Sequence, residues 1–340
     1  MSTITLGRTN LTVNRNGFGA LPIQRISHRD AVALLQKAYD HGIDFYDTAR
    51  GYSDSEEKIG AALHGVRDRV VIATKTLAVT VKEFRQDLET SLTQLQTDYI
   101  DLYQLHNPAF CPRPGDQSGL YDALLTARQQ GKIRFIGITN HRLPVAEEAV
   151  ASELYDTLQF PFSYLSSEVD MKLAASCRRN RLGFIAMKAL SGGLITDSAA
   201  AYAFMAQFDH VLPIWGIQKE HELDEFLAHD RTPPALTAAM QAKIAQDRRE
   251  LSGSFCRGCG YCMPCPMGIE IYSCARMGLL LRRAPYQVYL TDEWREKMAK
   301  VKECIHCNQC VSRCPYKLNP PEMIQKGYED YRSFQPPSEQ

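Results

Sequence analysis

The sequence predicts an α/β chain: a (β/α)8 TIM barrel over residues 1–232, a helical linker over 233–252 and a small, mostly helical C-terminal domain over 253–332. Three observations carry that expectation. Short apolar runs alternate eight times with amphipathic helical patterns, within a length at the short end of the barrel range. Thr232–Pro233–Pro234 then breaks the pattern. Beyond it, nine of the eleven cysteines fall between Cys256 and Cys314. The competing architecture for the first part is a doubly wound open sheet, which has the same alternation but usually fewer units.

The elements follow in order. Ile4–Leu6 and Leu11–Val13 read as an N-terminal β-hairpin. Gly17–Gly19, Asp44–Asp47, Val70–Thr74, Ile100–Leu105, Phe135–Thr139, Leu158–Phe160, Gly183–Met187 and Val211–Ile214 read as eight buried parallel strands. Between them lie helical patterns at Arg29–His41, Ser55–Leu63, Val81–Leu95, Leu120–Gln130, Pro144–Ser152, Met171–Asn180, Ser198–Gln207 and Glu220–His229. Apolar spacing in AVALLQKAYDHG and VKEFRQDLETSLTQL gives each helix one face for a sheet. Gly42, Gly131 and Gly183 follow their helices where a left-handed stop is wanted. A charged helical segment, Ala235–Leu251, leads into the cysteine region, and the tail from Ser333 reads as frayed.

Composition narrows the function classes. Hydrophobic content of 44% with 23% charged residues fits a globular soluble protein. The 39 basic and 39 acidic residues cancel, so the basic excess of a nucleic-acid binder is missing. The first residues lack a basic-then-apolar secretory pattern, and no apolar run approaches a membrane span. The expected location is the cytoplasm. In that reducing compartment clustered cysteines point to metal ligation instead of disulfides.

Polar residues just after barrel strands are where barrel chemistry resides. Asp47 ends the second strand, Tyr52 follows in the next loop, Lys75 closes the third strand and His106 the fourth. Each alone has an ordinary structural reading: a helix cap, a packing ring, a solvated charge, a satisfied core imidazole. Together, IDFYDTARGYSDSEEKIGAAL, ATK ending at Lys75, DYIDLYQLH ending at His106, IGITNH and IAMKALSGG resemble the aldo-keto reductase family over roughly residues 1–230. That resemblance implies a catalytic set of Asp47, Tyr52, Lys75 and His106. The roles are chemically sensible. Hydride reduction of a carbonyl needs a proton for the developing alkoxide, and a tyrosine near pKa 10 supplies it at neutral pH only beside a cation. The resemblance implies that Lys75 would be that cation, that Asp47 would hold Lys75, and that His106 would donate a hydrogen bond to the carbonyl oxygen.

The resemblance also implies a nicotinamide site. Thr139 and Asn140, helped by Gln159, would hold the carboxamide. Where the family often stacks a tyrosine on the nicotinamide ring, the aligned residue is Met187, followed by Lys188. After the eighth strand the family usually reads a 2′-phosphate with an arginine and the adenine with an asparagine. Placing Gly216 on the matching position puts Glu222 and Phe226 there, with Gln218 and Lys219 as nearby phosphate contacts. A carboxylate repels a phosphate but accepts bonds from a ribose diol, so the implied NAD(P)(H) cofactor is NADH before NADPH. Phe110, Trp215 and residues near Leu21–Pro22 are expected to line the substrate pocket.

The C-terminal cysteines form two runs. Cys256, Cys259, Cys262 and Cys265 are spaced C-x2-C-x2-C-x2-C-P; Cys304, Cys307, Cys310 and Cys314 are spaced C-x2-C-x2-C-x3-C-P, the bacterial ferredoxin spacing. Structural zinc is the rival, but zinc sites separate their cysteine pairs by a longer loop. The expectation is two [4Fe–4S] clusters in a domain resembling an all-helical two-cluster ferredoxin. By that analogy one cluster takes Cys256, Cys259, Cys262 and Cys314, and the other takes Cys304, Cys307, Cys310 and Cys265. Cys111, Cys177 and Cys274 read as ordinary thiols.

Two function classes follow. The first is an NAD(P)(H)-dependent oxidoreductase interconverting a carbonyl and an alcohol with Tyr52 as general acid/base, coupled to or stapled by [4Fe–4S] clusters. The second is a ferredoxin-linked electron-transfer protein whose barrel binds nicotinamide without aldehyde chemistry. The implied partners are a small carbonyl or alcohol substrate and a carrier such as a ferredoxin or flavodoxin, with neither nucleic acid nor membrane.

Overall fold

The structure, a computed structural model, describes residues 2–251, 255–283 and 286–336, with the backbone alone of Arg283. The chain divides into two compact units: Met1–Ala189 with Ser198–Gln241, and Leu190–Asp197 with Ala242–Gln340.

The first unit opens with a hairpin, β1 (Thr3–Thr5) and β2 (Thr12–Asn14), paired antiparallel with Ile4 opposite Val13. Eight parallel strands then close into a barrel: β3 (Gly17–Gly19), β4 (Phe45–Asp47), β5 (Val71–Thr76), β6 (Ile100–His106), β7 (Ile133–Thr139), β8 (Thr157–Pro161), β9 (Gly183–Met187) and β10 (Val211–Gly216). Neighbours follow chain order, and β10 pairs with β3 to close the ring. A doubly wound sheet would have left two open edges, so closure decides between the architectures.

Around the strands run α1 (His28–Asp40), α2 (Ser55–Leu63), α3 (Val81–Gln94), α4 (Leu120–Gln129), α5 (Leu143–Ser152), α6 (Glu168–Arg179), α7 (Ser198–Met205) and α8 (Glu220–Arg231). Local chemistry sets their starts. Thr80 and Glu83 form a capping box on α3, and its buried Phe84, Leu88 and Leu92 make one stripe. A second capping box, Ser167 with Asp170, starts α6 three residues before the apolar pattern does, at Glu168 instead of Met171. α9 (Ala238–Glu250) starts after Pro233–Pro234, with the Thr237 hydroxyl accepting from Met240 N at 3.2 Å.

The hairpin positions the site by blocking the opposite end. Ile4, Leu6, Leu11 and Val13 pack on Phe45, Ala73, Leu102, Ile185, Leu212 and Ile214. That cluster fills the barrel where strands begin. The Asp44 carboxylate accepts from Asn14 N at 2.7 Å and pins the hairpin there. Only the strands' C-terminal ends are left for a ligand.

The second unit contains α10 (Ile271–Cys274), α11 (Met277–Arg283), α12 (Asp292–Ala299), α13 (Gln309–Arg313) and α14 (Pro320–Ser333). Ile269, Ile271, Cys274, Met277, Leu281, Met298, Val301, Ile324 and Tyr328 are its core. The tail differs from expectation at its start: Ser333 completes α14, and Phe334 packs 5.5 Å from the Tyr286 ring. Residues 337–340 lie outside the described residues.

Candidate functional site

Strand register assembles the first site. Lys75 on β5 stands beside Gln104 on β6, His106 beside Thr139 on β7, and Thr139 beside Gln159 on β8. Asp47, at the end of β4, reaches across to Lys75, whose Nζ donates to Asp47 Oδ2 at 2.6 Å and to the Thr48 carbonyl at 2.6 Å. Both residues are at most 2% exposed. Burial therefore raises the Asp47 carboxyl above its ordinary range and lowers Lys75 below its ordinary 10.5, each opposed by their mutual attraction. Removing either partner of such a pair costs about 3–5 kcal/mol, because the other is left buried and charged.

Tyr52 sits in the β4–α2 loop, which turns back through Tyr52 N to Ala49 O at 2.9 Å. Its ring lies 5.2 Å from Lys75 Nζ and meets the His106 ring edge-on, with centroids 5.8 Å apart. Burial, reinforced by the Lys75 charge, pushes His106 down to about 3. The imidazole is thus neutral at working pH, with one N–H to donate and one lone pair. Asp47, Tyr52, Lys75 and His106 come together, and a carbonyl oxygen between Tyr52 and His106 would meet two donors.

The pair also rests on an amide that sequence reasoning missed. Gln104 Nε2 donates to Gln159 Oε1 at 3.1 Å and lies 3.5 Å from Asp47 Oδ1, while Gln159 Nε2 donates to Asp47 Oδ2 at 3.3 Å. Gln104 Oε1 is buried without a hydrogen-bond partner among the described residues. Its one sequence signal is an amide interrupting the apolar run DLYQLH.

The residues assigned to nicotinamide are distributed along the same rim. Thr139, Asn140 and Gln159 are buried at the ends of β7 and β8. Asn140 Nδ2 donates to Pro108 O at 2.9 Å and its Oδ1 accepts from Arg142 N at 2.8 Å. An asparagine amide has two N–H groups and two acceptor sites, so one of each is left for a carboxamide. These residues fit the cofactor's amide. Met187 is half-buried and packs on the barrel-interior cluster; Lys188 leaves β9 in a left-handed conformation, φ 58°.

Two expectations fail near β10. Trp215 does not line a pocket: it is buried, donates Nε1–H to Asn16 Oδ1 at 2.8 Å and stacks 4.4 Å from Phe226. Phe226 is thereby part of the packing between β10 and α8. Glu222, beside the exposed Gly216, uses its carboxylate to accept from Gln218 N at 2.9 Å and Lys219 N at 3.0 Å, capping α8. Phe110 and Leu21 are exposed, as are Leu77 and Val79 in the β5–α3 loop.

In the second unit the eight cysteines of the two runs stand round two cavities. The first is lined by Cys256, Cys259, Cys262 and Cys314. The second is lined by Cys304, Cys307, Cys310 and Cys265, and also by Cys262. Each cavity thus takes three cysteines from one run and the last from the other. Burial pushes the Cys262 thiol up to about 12, so it ionises only against a cationic partner such as a metal. Residues 305–309 are exposed, whereas 255–261 are half-buried.

Residues 12–229 match the aldo/keto reductase family. The chain belongs to that family. Residues 255–319 match a 4Fe-4S dicluster domain, so this aldo/keto reductase carries an iron–sulfur domain at its C-terminal side. Among curated relatives, L-galactose dehydrogenase of Arabidopsis thaliana is 30% identical over 211 residues, 56% of this chain and 66% of its own length. The NADH-specific methylglyoxal reductase of Escherichia coli is 27% identical over 228 residues, 58% of this chain and 70% of its own. An aldo-keto reductase from Klebsiella pneumoniae in complex with NADPH superposes with a TM-score of 0.59 at 25% identity, covering 72% of this chain and 95% of that one. Among the described residues no helix is long and apolar enough to cross a membrane.

Proposed function

We propose that this aldo/keto reductase interconverts a small carbonyl and its alcohol with NAD(P)(H), using Tyr52 as the general acid and base. The observation that carries the reading is the buried Asp47–Lys75 pair, with Lys75 Nζ 5.2 Å from the Tyr52 ring. A bound reduced nicotinamide supplies the hydride. Tyr52 gives its phenolic proton to the carbonyl oxygen as negative charge develops there, and the Lys75 charge stabilises the phenolate left behind. His106, neutral, donates its N–H to the same oxygen and orients the carbonyl. Asp47 keeps Lys75 in place, while Thr139, Asn140 and Gln159 hold the carboxamide. In the oxidative direction Tyr52 receives the alcohol proton.

The cofactor reading favours NADH. The N–H groups of Gln218 and Lys219 that open α8 would suit a phosphate, but the Glu222 carboxylate occupies them with negative charge. Glu222→Gln keeps an oxygen for the cap and removes the charge. It is expected to shift the NADPH-to-NADH ratio of dissociation constants about tenfold toward NADPH, equivalent to about 1.4 kcal/mol. Titration of both cofactors checks this, and an unchanged ratio would remove Glu222 from cofactor selection.

The two cavities are read as sites for two [4Fe–4S] clusters, with Cys256, Cys259, Cys262 and Cys314 on one and Cys304, Cys307, Cys310 and Cys265 on the other. Clusters there supply one-electron capacity when bound, and the exposed 305–309 segment is the face a ferredoxin or flavodoxin would approach. A cytoplasmic location would keep these cysteines reduced and available to the clusters. The test is anaerobic turnover of aldehydes and ketones with NADH and NADPH, with cluster absorbance followed alongside. Bleaching by nicotinamide without carbonyl turnover would favour the electron-transfer alternative.

A further inference from the structure

We propose that Arg276 ties the first cysteine cavity to the loop following β9 and so sets how tightly the barrel holds its nicotinamide. This rests on the cofactor reading above. The loop, Leu190–Asp197, belongs to the same compact unit as the cysteines although it runs between β9 and α7. Its backbone is unusual: Lys188 just before it, then Ser191, Gly192 and Gly193, all have positive φ. Non-glycine residues hold that conformation only when their surroundings impose it. Internal bonds to Leu190 O, from Gly193 N at 3.0 Å and Ile195 N at 3.2 Å, account for part of the constraint.

Arg276 accounts for another part. Its Nη1 donates to Gly192 O at 2.9 Å and its Nε donates to Tyr272 O at 3.1 Å. A Cβ at Gly192 would stand 2.8 Å from Nη1, so a side chain there would displace the guanidinium. The guanidinium also lies against Gly258: a Cβ there would be 2.6, 2.7 and 2.9 Å from Cζ, Nη1 and Nη2. Gly258, φ 62°, sits between Cys256 and Cys259, and its N–H donates to Cys256 Sγ at 3.4 Å. The order of contacts is therefore Cys256, Gly258, Arg276, Gly192, with a planar cation resting against both glycines. Ligation of Cys256 and Cys259 fixes Gly258, Gly258 fixes the guanidinium, and the guanidinium fixes the loop. Four residues upstream of Gly192 lies Lys188, at the end of the strand assigned to the nicotinamide.

The test compares the cluster-loaded protein with Arg276→Ala and Arg276→Lys. NADH dissociation constants are measured by anaerobic titration, and hydrogen exchange is followed in 190–197. With iron content unchanged, Arg276→Ala is expected to weaken NADH about tenfold, as fits the loss of a charge-assisted hydrogen bond, and to speed exchange in the loop. Arg276→Lys should recover only part of either, because an ammonium lacks the plane that rests against both glycines. Wild-type affinity and exchange in a variant that keeps its iron would overturn the proposal. Should both variants lose iron, exchange in wild-type protein with and without its clusters decides: faster loop exchange on stripping is expected, and no change overturns the coupling. Failure of loaded wild-type protein to bind NADH would refute the cofactor reading itself, which the exchange measurement does not depend on.

Discussion

Tyr52→Phe is expected to lower carbonyl turnover by at least about a thousandfold while cofactor affinity stays within about twofold of wild type. The variant deletes one oxygen. The ring that meets His106 edge-on and stands near Lys75 is retained, so the packing of the site survives. What is lost is the hydroxyl of a ring that stands near both a buried cation and a neutral imidazole. Lys75→Met would also abolish turnover, but it leaves the Asp47 carboxylate buried without its partner, and instability would obscure the chemistry. Tyr52→Phe avoids that ambiguity. Turnover near the wild-type rate would exclude Tyr52 as the acid and base.

The second large effect concerns the exchange of cysteines between the two runs. Cys314→Ser is expected to remove the cluster of the first cavity, about half of the iron, while the other site keeps its full ligand set. The cavity linings make a sharper demand on double variants. Cys256→Ser with Cys314→Ser should lose no more iron than Cys314→Ser alone, because both residues face one cavity. Cys304→Ser with Cys314→Ser should lose nearly all of it. Iron and sulfide assays on anaerobically purified protein distinguish these outcomes. The reverse pattern would mean that each run ligates its own cluster.

Much of this was legible because two periodicities are simple. Buried parallel strands read as short apolar runs, and polar residues at their ends stand out; Asp47, Lys75 and His106 were visible that way, whereas Thr139 came from the family resemblance, and the strands then set Lys75 beside Asp47 and His106 beside Thr139. The crossed cysteine sets came from analogy with two-cluster ferredoxins, and the double variants above are what test them. The failures share a cause. Trp215 was assigned from its position along the chain, whereas alternation along β10 turns it toward α8, where Phe226 stacks on it. Glu222 was read as facing a ligand, but a carboxylate three residues into a helix finds the helix's own free N–H groups first. Gln104 was passed over because one amide inside a buried strand carries no periodic signal. Leu190–Asp197 meets the cysteine region in part through one arginine and two glycines more than sixty residues apart, which no local pattern encodes.

The central claim is direct hydride transfer to a carbonyl under proton control by Tyr52. It is tested most directly by tracing the hydrogen. Cluster-loaded protein is given nicotinamide carrying deuterium at the reactive ring carbon, with an aldehyde it turns over, under anaerobic conditions in ordinary water. The account predicts one deuterium on the carbinol carbon of the product and none exchanged with solvent. Product whose carbinol hydrogen comes from water, formed while the clusters bleach and recover, would mean that electrons travel singly through the iron–sulfur domain, and would contradict the account.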